Sequence, residues 1–395
     1  MDGRQERGLQ IATNAKIVKN QLGWKVPSQS GNGSYIVNLD HDSSFCTCPD
    51  FETHQQKCKH IYAVEFTLKT ETNTDGLITE TRTVKVTYGQ DWTAYNTAQT
   101  EEKTKFVSLL SDLCKGVAQP EQGMGRRRLP LSEMVFASAF KVYSGFSGRR
   151  FTSDVNEIHD KCIMANTPHF NSVSNYMVNP EITPILKSLI TISSLPLKTV
   201  ETDFSVDSSG FSTSRFVKWF NKKYGYERGN QEWVKVHLMC GTNTHVVTSA
   251  EISGWMAHDT NYFKPLVEAT ANNFQIAEIS ADKGYLSHDN VNLVQQIGAT
   301  PFIPFKSNTI ASSGNSAWAK MYNLYMFNNK TFMEHYHKRS NVESVFSMIK
   351  AKFGDSIRSK SDNGQVNEVL CKVLNHNICV LIQSIHELGI EPSFN

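Results

Sequence analysis

HYHKRSNVESVFSMIK, residues 335–350, spaces its polar side chains in a way that decides how the rest of the chain is read. Arg339, Glu343 and Lys350 stand 3, 7 and 14 positions beyond Tyr336. At about 100° per residue in an α-helix these offsets wrap to roughly −60°, −20° and −40°, so four polar groups share one narrow stripe. Val342, Phe346, Ile349 and Phe353 fall on a neighbouring stripe and give the helix a face to bury. A carboxylate, two cations and a phenol along one helix margin can hold a metal and grip phosphates. The same residues also fit an ordinary surface: Ser340-x-x-Glu343 matches a capping box, and Arg339–Glu343 a solvated i, i+4 pair. This stretch alone leaves both readings open.

Composition sets the frame. The chain has 395 residues, 39% hydrophobic and 20% charged, with a net charge of +2. That length calls for two or three domains, and so small a net charge puts any nucleic-acid contact in local patches. The start, MDGRQERG, has no apolar stretch behind it, and no run of 18 apolar residues occurs. The expectation is therefore a chain without a secretory leader or membrane span. Its localisation is then cytoplasmic and nucleoid-associated, or nuclear in a eukaryotic host. Of eight cysteines, Cys46, Cys48 and Cys58 crowd into thirteen positions, which points to metal. Cys114, Cys162, Cys240, Cys371 and Cys379 are scattered, which points to packing.

The pattern divides the chain into four parts. Residues 1–70 read as short strands, with a hairpin across a Gly/Ser/Asn turn, then the cysteine cluster and a helix. Residues 71–125 read as a Thr-rich strand pair or linker followed by a helix over 93–118 that stops at Gly116. Residues 126–200 read as short helices in a helix-turn-helix-like, DNA-binding arrangement, with NSVSNYM as its recognition helix. Residues 115–200 hold ten Lys/Arg against six Asp/Glu, clustered at Arg126–Arg128 and Arg149–Arg150, which favours phosphate contact. Residues 201–390 alternate strand, hairpin, helix, strand, helix, strand and helix, the order of a mixed α/β sheet.

Within this last part Asp207 closes the strand FSVDSSG and Asp282 closes EISADKGY. Acids at the ends of neighbouring strands converge where the chain leaves the sheet. With Glu343 they make three carboxylates, which repel one another unless a cation sits between them. Hard oxygen donors favour Mg²⁺ or Mn²⁺. Asp203, four residues before Asp207 on the same side of the strand, is a rival first carboxylate, although Asp-Ser-Ser-Gly favours Asp207. Lys235 and His237 on the next strand fall near this site.

The region from about 200 to 385 resembles the catalytic domain of insertion-sequence DDE transposases. Tyr-x2-Arg-x3-Glu-x6-Lys matches the signature of one class in each position and gap, while VDSSGF and ADKGY resemble its two aspartate strands. The resemblance implies an RNase H-like fold, with Asp207, Asp282 and Glu343 as the metal-binding triad. It further implies Arg339 and Lys350 on DNA phosphates and Tyr336 as a buttress for the terminal strand. The interval from 282 to 343 has room for one helix, one strand and a short insertion.

CTCPDFETHQQKCKH, residues 46–60, places Cys46, Cys48, Cys58 and His60 as four ligands for a tetrahedral structural Zn²⁺, with His54 as a substitute. Together with the Pro-Asp-Phe that follows, it resembles the SWIM-type zinc finger. The reading as a whole is a cut-and-paste transposase. It binds double-stranded DNA at the terminal inverted repeats of its element, cleaves there, and joins 3′-hydroxyls to target DNA, with a homodimer in the synaptic complex. The alternatives are a transposase-derived zinc-finger DNA-binding protein that does not cut, and a nuclease that cuts without joining.

Overall fold

The computed structural model describes residues 3–15, 17–20, 23–28, 33–39, 44–72, 78–82, 91–125, 127–213, 223, 233–307, 309 and 314–394. They fall into two compact units, Met1–Gln90 and Asp91–Asn395.

In the first unit, α1 (Gly3–Asn14) precedes four antiparallel strands paired in chain order: β1 (Val18–Asn20), β2 (Gly23–Pro27), β3 (Ser34–Leu39) and β4 (Ser44–Cys46). β2 and β3 are the arms of the expected hairpin; its turn at 29–32 lies outside the described residues. Next come α2 (Pro49–His54) and α3 (Lys59–Thr67). The Thr-rich stretch forms a strand pair, β5 (Leu68–Thr72) with β6 (Ile78–Arg82), and residues 83–90 lie outside the description. The core is small, with Ile11, Trp24, Val26, Val37, Ile61 and Val64 gathered around the cysteines. Too little apolar area is buried there to hold the fold alone.

The second unit opens with α4 (Trp92–Lys115), capped by Asp91, whose carboxylate accepts from the N–H groups of Thr93 and Ala94, both at 3.0 Å. Then follow α5 (Leu131–Ser144), α6 (Gly148–Asp160), α7 (Phe170–Met177) and α8 (Ile182–Ser194). The sheet elements are β7 (Asp203–Ser212), β8 (Trp233–Gly241), β9 (Val247–Gly254), α9 (Thr260–Ala271), β10 (Glu278–Ala281), α10 (His288–Gln296) and β11 (Thr300–Phe302). The chain ends through α11 (Ala317–Phe327), α12 (Asn329–Tyr336), a 3-10 turn (His337–Arg339), α13 (Ser340–Phe353) and α14 (Asp362–Leu388). The strand order is β11-β10-β7-β8-β9, with β10 parallel to both neighbours and β7-β8-β9 antiparallel. This mixed sheet suits the RNase H-like expectation.

Alternation along β7 feeds both faces. Phe204 and Val206 join Phe263, Leu266, Val291 and Phe332 on one side. Phe211 joins Val236, Leu238, Phe346, Ile349 and the buried stripe of α14 on the other. That second core also takes in Phe106, Phe136, Phe140, Phe151, Val173 and Leu186 from α4 to α8. Residues 126–200 therefore share a core with the sheet, and the boundary between units falls at 90/91, where the sequence expectation had divisions near 70, 125 and 200. α14 makes the join: the Asn377 side chain donates to Ile190 O, Val247 O and Ser193 Oγ while accepting from Val247 N–H. Apolar periodicity locates helices but does not say which core receives them.

The β8–β9 turn sits at Gly241-Thr242-Asn243 as expected, held by fully buried Glu201, which accepts from the N–H groups of Asn243 and Thr244. A Cβ at Gly241 would come within 2.2 Å of that carboxylate, so any larger residue there would push Glu201 off the turn it holds. Between 282 and 343 the structure holds more than the expected single helix: the stretch read as an insertion carries α11, and α12 follows it. The segment 335–350 is likewise not one continuous helix, because the 3-10 turn separates Tyr336 from α13.

His376, on α14, is buried and its Nε2 donates to His245 O at 2.9 Å. Burial pulls its pKa down from 6.5 to about 4. The folded imidazole stays neutral where the unfolded one takes up a proton, so stability is lost as pH falls below 6.5. In urea unfolding of the full chain, His376→Gln should flatten the loss of stability between pH 7 and 5 by about 1 kcal/mol per pH unit at most. An unchanged pH slope would show that His376 is not the group responsible.

Candidate functional site

The register of two parallel strands builds the site. β10 pairs with β7 so that Glu278 lies beside Asp203, Ser280 beside Ser205 and Ala281 beside Val206. One position past that last pair stand Asp282 and Asp207. Side chains alternate in a strand, so the pairs 278/203, 280/205 and 282/207 share one face. Over this face lies the 3-10 turn that leads into α13.

The three pairs meet different partners. Lys338 Nζ bridges Asp203 Oδ2 at 2.6 Å and Glu278 Oε1 at 2.7 Å, and His335 Nδ1 meets Glu278 Oε2 at 2.5 Å. The Ser205 and Ser280 hydroxyls lie 3.1 Å apart, and Ser205 Oγ donates to Lys338 O. At the third pair, Arg339 Nη1 reaches Asp207 Oδ2 at 2.6 Å while Nη2 pairs with Glu343. Asp203 is thus consumed by a lysine ion pair, whereas Asp207 faces Glu343 across a guanidinium. Burial pushes the Asp207 carboxyl up; the Ser208 N–H and Arg339 oppose this, and the charges of Asp282 and Glu343 add to it. Asp282 is exposed, with its Oδ1 accepting from Lys283 N–H at 2.7 Å.

The rest of the stripe joins them. Arg339 lies 5.9 Å from the Tyr336 ring centroid. Lys350 Nζ donates to Ser209 Oγ at 2.6 Å and stands 5.4 Å from the Phe211 ring centroid, and burial lowers its pKa. Ser209 and Phe211 continue the alternation from Asp207, so the face reading 203, 205, 207, 209, 211 meets the turn and α13 along its length. The capping box does not form: Ser340 Oγ donates to His337 O, and Glu343 turns to Arg339. Lys235 and His237 lie across the sheet, since His237 is paired with Ser208 and Lys235 with Gly210. Lys338 was missed in the sequence; its adjacency to Arg339 was the only signal.

In the first unit the ligand atoms of Cys46, Cys48, Cys58 and His60 all lie within 4.8 Å of one another and all four residues are buried. His60 Nδ1 is 3.9 Å from the sulfurs of both Cys46 and Cys58. A hydrogen bond from Cys46 draws the Cys58 thiol well below its usual range, and the same bond, with burial, pushes Cys46 up. Three thiol sulfurs and one imidazole nitrogen turned to a common point make the donor set of a structural zinc. His54 is exposed beside Asp50 and takes no part.

Residues 198–378 match the family described as Transposase DDE domain. The chain carries a transposase DDE domain. Residues 35–69 match the SWIM zinc finger, whose structural zinc the Cys46–Cys48–Cys58–His60 cluster supports. The DDE domain implies a divalent catalytic metal and DNA as partner. Among the described residues no helix is long and apolar enough to cross a membrane.

Elemental analysis of the full chain should find about one zinc per chain, lost in Cys58→Ser and kept in His54→Ala. Chelation should unfold the small first core, read as lost far-UV dichroism and faster proteolysis before residue 90. Zinc retained in Cys58→Ser would remove the assignment.

Proposed function

We propose that this transposase cleaves phosphodiester bonds at the ends of a mobile element and joins the freed 3′-hydroxyls to target DNA. Asp207, Asp282 and Glu343 serve as its metal-binding triad. The observation that carries the reading is the strand register: it sets Asp207 and Asp282 one position past the last strand pair, and Arg339 ties Asp207 to Glu343. Three carboxylates at one strand end, one of them raised by burial and by the charge of the other two, fit a divalent cation. When bound, Mg²⁺ or Mn²⁺ supplies Lewis-acid stabilisation of the charge on the phosphate and the leaving oxygen.

The protein groups do the remaining work. Asp207 and Asp282 are fixed by the sheet, and each accepts from the next backbone N–H. Arg339 and Lys350 grip DNA phosphates, Arg339 as a planar fork and Lys350 as a point charge steadied by Ser209. Tyr336, packed under Arg339, buttresses the terminal strand. Arg339 would have to leave two anions, Asp207 and Glu343, before it could take up a phosphate, and those two carboxylates would then be the ones to hold the cation. The homodimer gives one copy for each element end.

DNA affinity beyond the catalytic face falls to residues 126–200 in this reading. Arg127, Arg128, Arg149 and Arg150 are exposed there; Arg126 lies outside the described residues. α7, the expected recognition helix, buries Val173 and Met177 and shows Asn171, Ser174 and Asn175 to solvent. Replacing Arg149 and Arg150 by Gln should weaken binding to element ends and lower the slope of log K against log salt by roughly 2. An unchanged slope would move the DNA surface elsewhere.

Glu343→Gln should leave folding and DNA binding near wild type and cut strand cleavage by more than about 100-fold. A capping-box glutamate would tolerate glutamine, so the two readings predict opposite outcomes. Asp207→Asn and Asp282→Asn should behave like Glu343→Gln. Asp203→Asn should cleave, because Lys338 retains Glu278. Full cleavage by Glu343→Gln in Mg²⁺ would sink the triad. On a supercoiled plasmid bearing element ends, integration, nicking alone or binding alone separates the transposase from the nuclease and the non-cutting protein.

A further inference from the structure

The face of β7 opposite the proposed triad carries a polar network that the reaction scheme above does not use. Asp259 stands at the start of α9, and its Oδ1 accepts from Ser208 Oγ at 3.2 Å. Ser208 follows Asp207, and its own N–H donates to Asp207 Oδ1 at 2.8 Å. One residue therefore bonds to the proposed metal ligand in front of the strand and to Asp259 behind it. The next residue, Thr260, donates from Oγ1 to Gly284 O at 2.7 Å. Gly284 lies in the 3-10 turn Lys283–Tyr285, whose first cap is Asp282. The pair Asp259–Thr260 thus spans from the residue after Asp207 to the turn that begins at Asp282.

The carboxylate of Asp259 is itself held in place. Lys235 pairs with it, His237 Nδ1 lies 3.6 Å from its Oδ1, and the Tyr285 hydroxyl is 3.5 Å from that same imidazole nitrogen. His237 is fully buried, bonded through Nε2 to Ser253 Oγ at 2.9 Å and stacked on Tyr262 of α9 at 4.3 Å. With Lys235 cancelling its charge, Asp259 has no surplus charge to offer a cation as a fourth ligand. What it offers is a fixed point.

We propose that Asp259 is a positioning residue that sets the spacing between Asp207 and Asp282 from behind the sheet, through its own bond to Ser208 on one side and, by anchoring the start of α9, through the bond of its neighbour Thr260 to the turn at Gly284 on the other. Asp207 and Asp282 have no side-chain bond to each other, and Asp282 sits past the last strand pair, so its distance from Asp207 depends on what braces the turn. Small divalent cations demand well-defined ligand geometry, and loss of a group that orients a ligand typically weakens metal binding about 10- to 100-fold. This inference rests on the triad reading given above.

The test uses the full zinc-loaded chain and Mn²⁺ as the probe, with binding read by titration calorimetry and electron paramagnetic resonance, and strand cleavage read against Mn²⁺ concentration. Asp259→Asn should keep its melting temperature within a few degrees, bind Mn²⁺ about tenfold more weakly, and need about tenfold more Mn²⁺ for half-maximal cleavage. Near-normal cleavage should return at saturating Mn²⁺. Glu268→Gln, an exposed change on the same helix, should shift nothing. Wild-type Mn²⁺ affinity and metal dependence in Asp259→Asn would overturn the proposal, and so would cleavage lost at every Mn²⁺ concentration, which would make Asp259 a ligand. Should Asp259→Asn fail to fold, Ser208→Ala removes only the hydroxyl link and should raise the Mn²⁺ requirement about threefold; no shift there would overturn the proposal as well. Asp207→Asn stands apart: if it cleaves normally, the triad reading fails whatever Asp259 does.

Discussion

The parallel register between β7 and β10 is the constraint on which the second unit depends. Sliding β10 by one residue would turn Ser280 and Asp282 to the opposite face and place Ile279 and Ala281 against the 3-10 turn. The register is fixed by what each pair needs. Phe204, Val206, Ile279 and Ala281 are all buried in the core on one side. Two acids on the other side must share Lys338, since neither could be half-buried beside the other without a cation. Once those pairs are made, Asp207 and Asp282 have no choice but to sit together where the strands part.

That arrangement explains why two chemically alike aspartates four residues apart differ. Asp203 lies deeper along the strand pair, where Lys338 reaches both it and Glu278, so its charge is already spent on holding the turn against the sheet. Asp207 lies at the end, where Arg339 is shared with Glu343. The same 3-10 turn therefore provides a structural cation at Lys338 and a proposed functional one at Arg339 in consecutive residues. Tyr336 and Arg339, three positions apart, lie against each other at that turn, and α13 starts after it to carry Glu343 and Lys350.

α14 has a second integrating role. Its buried stripe touches the sheet on one side and the helices before residue 200 on the other, and Asn377 stitches α8 to β9 with three donor–acceptor contacts and one accepted bond. A buried amide so fully satisfied stabilises one packing over its alternatives, because any shift leaves polar groups unpaired. The helices proposed to meet DNA are thus fixed to the mixed sheet by a shared core and not by a tether.

The sequence by itself determined the parts whose chemistry is local. Four metal ligands within fifteen residues, the Gly241 turn and the helix that stops at Gly116 were all legible, because spacing along one chain fixes them. Tertiary structure decided whatever depends on two distant segments meeting. It separated Asp207 from Asp203 by assigning Lys338 to one, brought residues 126–200 into the core of the sheet, broke the 335–350 segment at a 3-10 turn, and set Asp259 behind Ser208. Periodicity records which side of an element is apolar, but the partner that covers it is chosen by packing and by the pairing of buried charges, and neither is written in any single stretch of the chain.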